Sequence, residues 1–231
     1  MPGIQRKCKV LWLGLSVVMW MTNFFGCCYP VKHSSHAFAQ FQNLDASVKQ
    51  AVIVRNSSKG YQKGVLTKWQ RLDGNWISID SPIEVVLGKN GFAPIGEKQE
   101  GDGRTPSGIY HLGTAFGYGS SADTKLKYHQ ATESDFWVDD SQSPQYNQWV
   151  SGKPEAKSFE YLKRSDDLYK YGIVIEYNTD PIVPGKGSAI FIHIWRGPGQ
   201  PTSGCVALSE SHLIRLLHWL DQSLNPVIIL N

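Results

Sequence analysis

Cysteine is scarce in this 231-residue chain: there are four, and three of them (Cys8, Cys27 and Cys28) fall within the first 28 positions. No CxxC pair and no HExxH helix motif occurs, and His212 and His218 lie six apart, off a common helical face, so no metal site is expected. The glycine-rich stretch GDGRTPSG lacks both the GxGxxG pattern and the Lys-Ser/Thr of a phosphate loop, which excludes nucleotide binding by either device. Charge of one sign is also lacking: the formal net charge is +3, with no run of Lys and Arg to bind nucleic acid. Internal repeats, heptads and charge blocks are absent. No cofactor is implied.

The first residues carry a different signal. Arg6, Lys7 and Lys9 precede an apolar run from Val10 to Met21, and small residues follow at Ala37-Phe38-Ala39. A basic start, a short apolar run and an A-x-A site predict a secretory leader over residues 1–39, cut after Ala39. The run is shorter than the roughly 20 apolar residues that span a bilayer. A retained signal anchor and a lipid-attached Cys27 are the alternatives, and through them alone would the membrane be a partner. Residues 40–231 then form a single domain, large enough for a substantial core. Removing the leader's four basic residues from the chain's 23 leaves 19 against 20 acidic ones, so the basicity belongs to the leader. The expected location is outside the cytoplasm, in the periplasm or cell envelope. Cys205 is then the last cysteine left in an oxidising compartment, either inert in the core, bridged to another chain, or reactive.

Hydrophobic patterning predicts a mainly β domain with one late helix. Gln50–Arg55 (QAVIVR) is a buried strand; Thr67–Ile79 alternates in polarity about Asp73-Gly74, a hairpin turn signal. Ile83–Leu87, Tyr171–Tyr177 and Ser188–Trp195 are further strands, and Thr105-Pro106-Ser107-Gly108 is a turn leading into another. Lys125–Lys157 has little period and predicts a long excursion. Leu213, Leu216, Leu217 and Leu220 make one helical stripe behind a Ser209 cap, and Val227–Leu230 closes the chain as a strand.

The stretch HIWRGPGQPTSGCVAL, His193 to Leu208, carries the chemistry. A thiol attacks as its thiolate, and an imidazole that takes the proton can return it to a leaving amine. His193 sits near the end of an apolar strand, and Gly197-Pro198-Gly199-Gln200-Pro201 reverses the chain toward Cys205. Gly204 permits a tight backbone there, and turn amides would meet a developing oxyanion.

This stretch, with GDGRTPSGIYHLG upstream, resembles the YkuD-type L,D-transpeptidase catalytic domain over approximately Val52 to Leu230. The resemblance implies a β-sandwich or barrel-like fold with Cys205 as nucleophile and His193 as base. It further implies that the Ile194 carbonyl orients the imidazole, that the Gly204 and Cys205 amides form the oxyanion hole, and that Ser203 and Thr202 shape the turn. Such enzymes cleave peptidoglycan stem peptides before the D-Ala at the fourth position through a thioester, in cell wall cross-linking or remodelling. The chain departs from the pattern at Ser203, where His is common, and at Ala207, where Arg or Asn is common. The His-to-Cys interval is also short, which marks a divergent branch. Without a guanidinium at Ala207 the substrate carboxylate needs another partner, for which Arg104 and Arg196 are candidates, either of them otherwise a solvated loop arginine.

The excursion supplies further candidates. Trp137, Asp139, Asp140, Tyr146, Asn147 and Trp149 bring carboxylates, an amide and rings into one segment, either as a substrate wall whose carboxylates meet an ammonium of the stem peptide's diamino acid, or as a self-capped loop. Two other functions stay open: an L,D-carboxypeptidase that passes the acyl group to water, and a non-catalytic wall-binding module on the same fold. A sortase-like or papain-like arrangement does not match the order and setting of His193 and Cys205.

Overall fold

The computed structural model describes residues 41 and 44–231, so the leader expected over residues 1–39 lies outside the described residues. No helix among them is long and apolar enough to cross a membrane. The strands are β1 (Gln50–Ser57), β2 (Gly60–Leu72), β3 (Asn75–Val86), β4 (Gly108–Gly117), β5 (Tyr128–Gln130) and β6 (Asp135–Val138). They continue as β7 (Trp149–Ser151), β8 (Phe159–Tyr161), β9 (Tyr171–Ile175), β10 (Phe191–Ile194), β11 (Val206–Leu208) and β12 (Val227–Leu230). Late in the chain come an α-helix, α1 (Glu210–Trp219), and a 3-10 turn at Gln222–Leu224. Among the described residues the domain is thus mainly β with a late α-helix.

Because β12 pairs both β1 and β4, the main sheet closes on itself in the order β1-β2-β3-β11-β10-β9-β4-β12, with β5 added outside β4. Side chains alternate across a strand, and this sorts the core. Val52, Val54, Ile173, Ile175, Ile192, Val206, Leu208, Ile228 and Leu230 point into the barrel. The leucine stripe of α1 (Leu213, Leu216, Leu217 and Leu220) joins the same core. Each such leucine adds roughly 2 kcal/mol of burial. Ser209 caps this helix, its hydroxyl accepting the His212 N–H.

Two covers lie on the outside of the wall. Phe41, Trp69 and Trp76 cover the outward side chains of β1 and β12, namely Ala51, Ile53, Val227 and Ile229. Burial on both faces explains why these strands read as unbroken apolar runs. The second cover, a roof, packs Trp137, Leu162, Leu168 and Tyr169 over Val174, Phe191 and Cys205 on the outer face of β9, β10 and β11.

Two sequence expectations change. The strand at Ile83–Leu87 is the continuation of β3, bent where Asp80 takes a positive φ of 60° and the β2–β3 register slips between Leu66 and Lys68. The excursion is not without regular structure: β7-β6-β8 form a separate three-stranded sheet that builds the roof. Its strands are three or four residues long, too short for a period of two to register. The Asp73-Gly74 turn joins β2 to β3 as expected, with φ of 48° and 80°.

Candidate active site

Strands β10 and β11 run parallel, with Ile192 opposite Val206 and His193 opposite Ala207. Ile192 and Val206 face the barrel core, so His193 and Cys205, each one residue away from them, both face outward beneath the roof. Ala207, which is buried, stands opposite His193 on the neighbouring strand.

The turn that carries the sulfur is held from behind. A Cβ on Gly204, whose φ is 155°, would lie 2.9 Å from the Arg104 carbonyl oxygen, closer than van der Waals contact allows. Thr202 N–H donates to Leu87 O and Gly88 N–H donates to Thr105 Oγ1, each at 2.9 Å. The Gly204 N–H donates to Thr202 Oγ1 at 3.1 Å, so this amide is spent inside the turn and is not free for an oxyanion as the sequence implied.

His193 Nδ1 lies 2.8 Å from Ile194 O. A carbonyl only accepts, so Nδ1 carries the proton and Nε2 keeps its lone pair. Burial pushes this imidazole down to about 4, against the opposing bond to Ile194. Cys205 S–H donates to Ala189 O at 3.2 Å, and Sγ accepts the Phe191 N–H at 3.3 Å. Burial, followed by the charge of Glu160, pushes the thiol up to about 12. At neutral pH the proton therefore rests on sulfur and the imidazole is an uncharged base.

Though largely enclosed, Cys205 opens on two clefts. The larger, about 470 Å³, is lined by His193, Arg164, Arg196, Tyr169, Trp195 and Gln200. The smaller, about 260 Å³, is lined by Lys98, Glu100, Asp139, Ser188 and Gly204. Lys89, Glu160, Ser203 and Cys205 line both, so the sulfur sits where the clefts meet. Tyr169 is buried and packs edge-on against His193, ring centroids 5.2 Å apart at 77°, and its hydroxyl donates to Glu160.

Of the residues singled out from sequence, Cys205, His193, Ile194, Gly204, Ser203 and Arg196 come together here. Trp137, Asp140, Tyr146 and Asn147 do not line either cleft. Asn147 spends its whole amide: Oδ1 accepts from Trp137 Nε1 at 2.9 Å and Ala189 N at 3.1 Å, and Nδ2 donates to Tyr177 O and Asn178 O. Tyr146 is buried, donating to Glu100 and accepting the Gly187 N–H. Asp140 accepts Gln142 N–H and Lys157 N–H, closing its own loop. These four side chains hold the roof together, because their polar atoms already have partners in the chain.

Sequence reading missed Glu160, Arg164 and Tyr169. They lie in FEYLKRSDDLY, where short strands and turns leave no periodic pattern. The one available cue was Arg164 and Asp166 two residues apart, which form a bidentate pair with N–O distances of 2.7 and 2.8 Å. Arg164 and Arg196 both reach Asp166 and flank the larger cleft.

No curated protein matches the chain. Among solved structures it is similar to the helical cell shape determining protein Pgp2 from Campylobacter jejuni, at 17% identity and a TM-score of 0.38. That likeness covers 78% of this chain, which spans only 46% of the other. Residues 50–229 match the model of the L,D-transpeptidase catalytic domain, YkuD, and the chain belongs to this family.

Proposed function

We propose that the protein is an exported, cysteine-dependent L,D-transpeptidase that acts on peptidoglycan stem peptides in the cell envelope. The observation that carries this reading is the joint placement of Cys205 and His193 on the outer face of neighbouring strands, at the meeting of two clefts, with Ile194 O fixing the imidazole.

The reaction follows from that geometry. As Sγ bonds to the carbonyl carbon before D-Ala, its proton passes to His193 Nε2 and the carbonyl oxygen becomes an oxyanion. With Gly204 N–H held by Thr202, the Cys205 amide and the Ser203 hydroxyl are the donors assigned to that oxygen. Collapse breaks the C–N bond, the leaving nitrogen takes the proton from Nε2, and a thioester remains. An acceptor amine then attacks the thioester, His193 takes its proton, and the sulfur leaves to be reprotonated. Arg164 and Arg196 receive the carboxylate of the leaving D-Ala. Because thiol and imidazole are both neutral at rest, proton transfer is coupled to carbonyl attack and not completed beforehand.

Exposure to a carbapenem followed by intact mass measurement tests the nucleophile. The expected result is one covalent adduct, lost in Cys205→Ala; no adduct on the unaltered protein would overturn the reading. Digestion of tetrapeptide muropeptides then identifies the acceptor. A new cross-linked dimer marks an amine, whereas D-Ala release without cross-linking marks water and a carboxypeptidase.

A further inference from the structure

A separate cavity of about 380 Å³ shares no lining residue with the two clefts at Cys205. Its size falls within the roughly 300–1,000 Å³ typical of small-ligand sites. Val174 of β9 lines it on the outer face of the wall, and Trp137 and Trp149 line it from the roof. Val174 pairs with Phe191, whose N–H donates to the Cys205 sulfur. Phe191 and Trp137, ring centroids 5.0 Å apart, therefore stand between the cavity and the nucleophile.

The backbone beneath this cavity is bent to suit it. Leu112 and Ala115 of β4 both face the barrel core, although strand alternation would turn one of them outward. The β4–β9 register shifts between them, and this bulge puts Gly113 and Thr114 together on the outer face. A Cβ on Gly113 would lie 2.5 Å from Glu176 Oε1, so a side chain there would displace the Glu176 carboxylate from the cavity it lines. The rings are pinned: Trp137 Nε1 donates to Asn147 Oδ1 at 2.9 Å and Trp149 Nε1 to Asp135 Oδ1 at 3.0 Å. His129 of β5 stacks at a tilt on Trp149, centroids 4.4 Å apart. The Thr114 and Thr179 hydroxyls and the Glu176 carboxylate, by contrast, have no hydrogen-bond partner among the described residues.

Fixed rings beside unpaired polar groups select a ligand with both kinds of surface. A wholly apolar ligand would strip water from Thr114, Thr179 and Glu176 without replacing it, and an anion would meet the Glu176 charge. A pyranose satisfies all of them, its C–H face against the rings and its hydroxyls donating to Glu176 and bonding the two threonines. We propose that this cavity binds a sugar unit of a glycan, namely the strand to which the stem peptides are attached. That the glycan is the peptidoglycan strand rests on the cysteine chemistry proposed above; the sugar site itself does not. Strands β4, β9, β10 and β11 are successive in the wall. At about 4.8 Å per strand, Thr114 lies roughly 14 Å from β11, which follows Cys205, a span that one polymeric substrate covers.

Calorimetric titration of the intact protein with chitotetraose, a β-1,4-linked chain of N-acetylglucosamine, tests the site without turnover. Saturable binding is expected, weakened about tenfold in Glu176→Ala and at least as much in Trp149→Ala. Trp149→Ala also frees Asp135 and loosens the roof, so Glu176→Ala decides the matter: Glu176 is exposed and lines neither cleft at Cys205. This variant should acylate with a carbapenem within about twofold of the unaltered protein, yet be retained less on insoluble peptidoglycan. No saturable binding of chitotetraose, unchanged affinity in Glu176→Ala, or choline chloride bound in place of the sugar overturns the inference while the carbapenem adduct stands. Chitotetraose bound by a protein that no carbapenem labels upholds the sugar site and overturns the cysteine chemistry instead.

Discussion

The barrel wall and the roof above it are held by different forces. In the wall, aliphatic side chains from β1, β9, β10, β11 and β12 meet the leucines of α1, and area removed from water sets their positions. In the roof, polar side chains tie loops to backbone. Asn147 makes four hydrogen bonds, and Asp135 accepts from Thr132, Trp149 and Ser151. Burial raises the Asp135 carboxyl, yet these donors outweigh it and hold the group at about 2. Area tolerates exchange of one aliphatic residue for another, whereas a directional network loses its geometry when one member goes. The site lies between the two: the wall supplies β10 and β11, and the roof encloses the sulfur.

The largest effect should come from the site itself. His193→Gln should lower kcat/KM for thioester formation by about a thousandfold while circular dichroism stays unchanged. Its pH–rate profile should lose the acid limb that protonation of the imidazole gives the unaltered enzyme.

Next comes a direct contest between roof and wall. Asn147→Ala strands Trp137 Nε1 and the Ala189 N–H, and should cost about 3 kcal/mol in urea denaturation. Because Ala189 O is the acceptor for the Cys205 thiol, the carbapenem acylation rate should also fall. Leu213→Ala should cost a similar amount, about 3 kcal/mol, by leaving a cavity in the barrel, yet acylate at the unaltered rate under native conditions. Equal losses of acylation in both variants would erase the distinction between wall and roof.

A smaller effect separates the two by pH. His193 is held at about 4 in the fold against 6.5 unfolded, so between these values the unfolded chain binds the extra proton. Its penalty is absent above 6.5 and grows as pH falls, approaching about 3 kcal/mol near pH 4. Urea titrations at pH 7 and pH 4.5 should show this slope, flattened in His193→Gln. The smallest effect belongs to Asp140→Ala, which removes acceptors for Gln142 N–H and Lys157 N–H on an exposed loop. Acylation should stay within about twofold of the unaltered protein; a tenfold loss would restore Asp140 to the substrate wall.

The same division explains what could be read from sequence. Wall strands such as Gln50–Arg55 and Val227–Leu230, and the leucine stripe of α1, announce themselves because burial imposes a period. Cys205 and His193 were legible as well, since a lone thiol behind Gly204 and a histidine ending an apolar run are chemically conspicuous. The roof was not. Trp137, Tyr146 and Asn147 have the composition of a binding surface, but their polar atoms find partners far along the chain, as Asn147 does at Ala189. Glu160 and Tyr169 meet Cys205 and His193 only through tertiary packing, which no local spacing encodes.

One consequence follows from the way Gly204 abuts Arg104 while Gly88 and Thr202 bond to Thr105 and Leu87. The glycine-rich segment near residues 101–104 looks like the kind of surface loop that accepts extra residues freely, yet it is the buttress behind Cys205. Lengthening it would displace the sulfur without altering any group that touches substrate. Tolerance to insertion, ordinarily highest in such loops, should here be among the lowest in the molecule.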